Sequence, residues 1–125
     1  MTQTHPYQNS ALSTKERVTD LLSRMTLDEK IAQLGSIWVF ETLNDSSFAE
    51  EKAQKLMAHG LGQVTRIGGA SSLDPTAGAE LANTIQKYLL DNSRLGIPAI
   101  VHEECCSGYM ARNATCFPQT IGCWT

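Results

Sequence analysis

The chain has 125 residues, ten Lys and Arg against thirteen Asp and Glu, and a formal charge of −3. That length holds one small domain with a modest core, and scattered basic residues interleaved with acids do not make the positive surface that phosphates require. No apolar run approaches the ~20 residues of a bilayer-crossing helix, and the polar start lacks the apolar segment of a signal peptide. Neither nucleic acid nor a membrane is therefore expected as a partner, and the expected location is cytoplasmic.

Residues 1–12 are polar, contain His5-Pro6 and show no periodicity, as expected of a flexible leader. Ser13-x-x-Glu16 is a capping box, in which a serine oxygen accepts a free backbone N–H while the glutamate reaches back. Val18, Leu21, Leu22 and Met25 follow at helical spacing. Thr26-x-x-Glu29 is a second box, opening a helix with Leu27, Ile31 and Leu34 on one side and Gly35 as the expected residue just past its end. Two capped helices in tandem imply a bend near Thr26.

The β-rich run over residues 36–40 predicts a buried strand. Ser47-x-x-Glu50 predicts a third helix carrying Ala49, Ala53, Leu56 and Met57 and stopping at His59-Gly60. Residues 62–67 predict a second strand, ending in Gly68-Gly69. That glycine pair lacks the Gly-Lys-Ser/Thr of a phosphate loop and reads as a turn between strand and helix. Asp74-Pro75 is an N-cap with proline at the first helical position, ahead of Leu81, Ala82, Ile85, Tyr88 and Leu89. The turn Leu95-Gly96 and then Pro98 launch a third strand over residues 99–103.

Alternation of strand and helix argues for parallel β/α units and an α/β fold. Three such strands cannot close a barrel, and both sheet edges would stay open. Together with Trp124 this leads to the expectation that the chain is part of something larger. Open edges also admit the alternative of a non-catalytic interaction module that self-associates by strand pairing.

The third strand ends in His102-Glu103-Glu104. A buried strand delivering acids at its C-terminal end is how α/β enzymes place polar groups in a cleft. Alternation points Glu103 and Glu104 to opposite faces, so they are not a catalytic pair. Glu103 is expected to be structural, in an ion pair with Arg94 or Arg112. His102 is either a site residue or a hydrogen-bonded core histidine. Arg66, at the end of the second strand, either shapes the same rim or sits in a salt bridge. Four cysteines, Cys105, Cys106, Cys116 and Cys123, fall in the last quarter. Their expected state is reduced. A metal site combining them with His102 is a weak alternative, since no C-x-x-C pair is present.

Five pieces, in order, resemble the N-terminal part of family 3 glycoside hydrolases, the β-glucosidase and β-xylosidase group. They are the stretch from Arg17 to Leu34 with Thr26-Leu27-Asp28-Glu29-Lys30, then Gly62-Gln63-Val64, Arg94-Leu95-Gly96-Ile97-Pro98, His102-Glu103-Glu104 and Ala114-Thr115-Cys116-Phe117-Pro118-Gln119. The resemblance implies that residues 13–125 are the first β/α units of a TIM-like (β/α)8 barrel, incomplete and preceded by two N-terminal helices. It implies hydrolysis of terminal β-linked glucose or xylose by the retaining route, on small β-glycosides or oligosaccharides and with no cofactor. An aspartate attacks the anomeric carbon and a separate acid protonates the leaving oxygen. Both belong to parts of the family pattern not found here. The nucleophile's Ser-Asp-Trp-like motif is absent, so no catalytic residue is assigned and the chain alone is expected to be inactive. The one position carried over is Glu104, which corresponds to an acid that hydrogen-bonds sugar hydroxyls. Cys106 stands where leucine or another larger residue is common, and Asn113 where glycine is usual.

Overall fold

The structure is a computed structural model and describes residues 5–119. In chain order its elements are α1 (Thr14–Arg24), α2 (Leu27–Ala32), β1 (Ser36–Trp38), β2 (Leu43–Asn44), β3 (Ser47–Phe48), α3 (Glu50–Leu56), β4 (Gln63–Thr65), α4 (Pro75–Asn92) and β5 (Ile100–His102). Short 3-10 turns occupy Pro6–Gln8 and Val39–Thr42. Strands β1, β4 and β5 form a parallel sheet in the order β1-β4-β5, and β2 and β3 form a small antiparallel pair. The fold is thus mixed α/β around a parallel sheet. Among the described residues no helix is long and apolar enough to cross a membrane.

The sheet has one covered face. Val64, at the centre of β4, is fully buried against Ala53 and Met57 near α3 and Leu81, Ile85 and Leu89 of α4. These apolar residues recur at helical spacing and meet the strand's inward row. Burying a side chain of this size contributes about 1.5–3 kcal/mol. Ile37 packs on the same cluster. Gln86 of α4 sets the start of β5 by donating to the Ala99 carbonyl (2.7 Å) and accepting from its N–H (3.0 Å). On the opposite face, Ser36, Trp38 and Ile100 stay exposed.

Both expected capping boxes close, at Ser13/Glu16 and Thr26/Glu29. Asp74 caps α4 by accepting from the Ala77 N–H at 3.0 Å. Other expectations fail for local reasons. The first strand stops at Trp38 because Glu41 accepts from the Trp38 N–H (2.8 Å) and the chain turns, burying Val39 completely. Ser47 does not cap α3. Asp45 takes a left-handed φ of 54°, and the resulting hairpin pairs Leu43 with Phe48 and Asn44 with Ser47. Phe48 then packs on Tyr88, ring centroids 5.5 Å apart. Gly35 is not left-handed, and α2 ends in a tight turn in which the Leu34 and Gly35 N–H groups bond the Ile31 and Ala32 carbonyls. The apolar side of α2 faces outward. Leu27, Ile31 and Leu34 are exposed, while Glu29 is buried. The leader is anchored from His5 on. Tyr7 donates its N–H to Asp20 and its hydroxyl to the Leu95 carbonyl (2.7 Å), and Arg17 donates to the Tyr7 carbonyl.

Glu29 is the buried acid because it has a buried role. Its carboxylate accepts from Arg94 Nε (2.9 Å) and Nη2 (2.5 Å) and from the Thr26 N–H (2.8 Å). Arg94 also donates to the Arg24 carbonyl. The pair therefore pins α2 to the turn before β5, and Arg94 is not the partner expected for Glu103. Hydrogen bonds from Arg94 hold the Glu29 carboxyl down at about 2, against the opposing effect of burial. With the folded value below the ordinary 4.5, this stabilisation is complete above about pH 4.5 and fades as pH falls toward 2. Glu29→Gln is expected to cost on the order of 2–3 kcal/mol at neutral pH and to flatten the acid limb of stability. Urea denaturation from neutral to acid pH measures both, and parallel acid limbs for the two proteins would contradict the pairing.

Candidate functional site

The pairing of β4 with β5 builds the site. Gln63, Val64 and Thr65 lie opposite Ile100, Val101 and His102, and the Arg66 N–H extends the ladder by donating to the His102 carbonyl at 2.9 Å. Side chains alternate along each strand, so Trp38, Thr65 and His102 form one row across the sheet, on the face opposite Val64. Arg66 and Glu104 follow at the C-terminal rim.

At Arg66 the backbone is left-handed, with φ 61°. For a residue with a Cβ this conformation costs roughly 1–2 kcal/mol. It is held from both sides, by the bond to His102 and by the Ala70 N–H donating to the Arg66 carbonyl (2.9 Å). The bend turns the guanidinium across the rim. Its Nη1 lies 3.2 Å from Glu104 Oε2, and its carbon sits 5.5 Å from the centroid of the Trp38 ring. The Arg66 side chain is 18% exposed and that of Glu104 58%. Two buried atoms here, Arg66 Nε and His102 Nε2, have no hydrogen-bond partner among the described residues. Buried polar groups are normally paired, and both of these lie on residues at the end of the β4–β5 ladder. The salt-bridge alternative for Arg66 is thus realised, with Glu104 as the partner.

Glu103 turns the other way, as alternation requires. Its Oε1 accepts from the Gly68 N–H at 2.6 Å, and it borders a cavity of about 230 Å³ lined by Ile67, Leu73, Val101 and Tyr109. It therefore ties the loop after β4 to the end of β5, a structural role with a backbone partner instead of the expected arginine. Tyr109 closes this corner so tightly that a Cβ on residue 68 would stand 2.0 Å from its hydroxyl, which is why glycine occupies the turn. Burial raises the Tyr109 phenol above its ordinary range, and the nearby Glu103 and Cys105 add to the rise. A separate apolar cavity of about 400 Å³, between Tyr7, α1 and Ile97-Pro98, lies away from this rim.

Cys105, Cys106 and Cys116 are exposed free thiols. Among the described residues no cluster of three or more His, Cys, Asp or Glu could hold a metal ion. Cys123 and Trp124 lie outside the described residues.

Trp38 and Tyr109 are the rim-shaping residues that pattern reading overlooks, whereas Gly68 forms the turn expected of it. Trp38 sits in a β-rich run and reads as core. Only the burial of Val39 in the following turn leaves its ring on the bare face.

The glycosyl hydrolase family 3 N-terminal domain matches residues 26–123 of this chain. The chain belongs to that family. Similar proteins include a putative beta-xylosidase of Formosa agariphila, 34% identical over 96% of this chain and 16% of its own length. Beta-glucosidase C of Emericella nidulans is 33% identical over 93% of this chain and 20% of its own. A probable beta-glucosidase C of Aspergillus flavus is 31% identical over the same shares. This family 3 chain thus spans about a fifth or less of the length of these relatives.

Glu103→Leu removes the acceptor for the Gly68 N–H. A hydrogen bond of this kind contributes about 1–2 kcal/mol, so amide exchange at Gly68 is expected to speed up roughly tenfold while exchange at Val64 stays slow. Unchanged protection of Gly68 would contradict the assigned contact.

Proposed function

We propose that this chain supplies one wall of the sugar subsite of a retaining β-glycosidase acting on terminal β-linked glucose or xylose. The carrying observation is Glu104, placed at the C-terminal rim of a parallel sheet, ion-paired with Arg66 and still 58% exposed. A carboxylate held this way accepts hydroxyl hydrogen bonds, which are stronger when the acceptor is charged. Arg66 and His102 flank it as further contacts. The similarity to proteins named beta-xylosidase and beta-glucosidase supports the substrate class. In the whole protein the parallel sheet is the opening of a (β/α)8 barrel whose interior face carries Trp38, Thr65 and His102. Active sites of such barrels sit at the C-terminal ends of the strands.

The reacting carboxylates belong to other parts of the intact enzyme, because the Ser-Asp-Trp-like motif of the nucleophile is absent from the sequence. The 125-residue chain is therefore expected to give no turnover of aryl β-glucosides or β-xylosides, yet to bind methyl β-D-xyloside or methyl β-D-glucoside weakly. Glu104→Gln should weaken that binding at least tenfold in saturation-transfer NMR. Turnover by the chain alone, or binding indifferent to Glu104→Gln, would overturn the proposal.

A second function has its own supporting observation. Ile100 and Val101, on the edge strand β5, are 65% and 39% exposed, and such an edge is a template for strand addition. A non-catalytic module of this kind would elute as a defined oligomer that Val101→Lys dissolves. A concentration-independent monomer would exclude it.

A further inference from the structure

We propose that Arg66 is a positioning residue, a clamped guanidinium that fixes the orientation of the Glu104 carboxylate. This rests on Glu104 being the sugar contact. An exposed ion pair alone would not orient anything, because two long side chains in water hold one geometry poorly and contribute about 0–1 kcal/mol. Arg66 differs in being fixed before it meets Glu104. Its backbone is locked in the left-handed bend by two hydrogen bonds. The guanidinium lies over the Trp38 ring at 5.5 Å, and the Trp38 ring is itself braced by Phe40, centroids 5.6 Å apart. From another side the backbone of Gly69 closes in, where a Cβ would stand 2.9 Å from Nη2 and 3.0 Å from Nε. Only Nη1 reaches Glu104, at Oε2.

The consequence is directional. With Oε2 engaged by the clamped Nη1, Arg66 restricts the turning of the carboxylate and leaves Oε1 for a sugar hydroxyl. An ionised acceptor with one oxygen free suits a hydroxyl donor, which is the chemistry of a neutral sugar. Lysine at position 66 would keep the charge and lose both the planar fork and the stacking.

The test uses the 125-residue chain labelled with ¹³C and ¹⁵N, observing the Glu104 carboxyl carbon and the Arg66 Nε–H. Arg66→Lys and Trp38→Leu should each shift the Glu104 carboxyl signal in the absence of sugar, while Trp38→Phe, which keeps a ring under the guanidinium, leaves it near its wild-type position. With methyl β-D-xyloside added, the first two variants should raise the apparent Kd about tenfold and Trp38→Phe less than twofold. Amide spectra that remain native away from the rim separate this effect from unfolding, and Trp38→Leu serves the same purpose if Arg66→Lys does not fold. A Glu104 signal indifferent to both Arg66→Lys and Trp38→Leu overturns the proposal. The shifts without any sugar binding in the wild type leave the clamp standing and remove the sugar site.

Discussion

Arg66 donates its backbone N–H to the carbonyl of His102, and this bond, one step beyond the last ladder pair of β4 and β5, decides which residues meet at the end of the sheet. The side-chain period of a strand is two. A slip of one residue would bring Glu103 to the rim with Arg66 and carry Glu104 to the helix side, losing the Gly68 tie. The separate duties of the two adjacent glutamates, one toward a backbone N–H and one toward a guanidinium, follow from a register that Gln86 enforces at the start of β5 and Arg66 at its end.

The same register explains the asymmetry of the sheet. Val64 and Ile37 meet the apolar positions of α3 and α4, so this face is covered over β1 and β4, while Val101 of β5 stays partly exposed. The other carries Trp38, Thr65 and His102, of which Thr65 is buried, His102 half-buried and Trp38 exposed. The Glu29–Arg94 pair holds the chain outside the sheet. It pins the N-terminal helices to the turn that launches β5.

Much of this was legible in the sequence where local chemistry and packing agree. The boxes at Ser13 and Thr26 and the Asp74-Pro75 start of α4 formed as read, because caps depend on three or four neighbouring residues. The apolar spacing of Leu81, Ile85 and Leu89 marked the layer that covers Val64. What failed depended on partners distant in sequence. Ser47 carries a capping signature, but the hairpin that buries Leu43 and stacks Phe48 on Tyr88 outweighs a single serine cap. Leu27 and Ile31 have helical periodicity, yet Arg94 draws Glu29 inward and rotates that stripe to solvent. At the rim, the family pattern singled out Glu104, and alternation gave the opposite facing of Glu103. Trp38 was not legible, since its ring becomes a support for Arg66 only after the chain turns at Val39.

The central claim is the register of β4 against β5. A through-hydrogen-bond scalar coupling between the Arg66 amide nitrogen and a backbone carbonyl carbon reads it directly in labelled protein. A coupling to the His102 carbonyl is the predicted result. A coupling to Val101 or Glu103 instead would place the opposite glutamate on the rim and contradict the account.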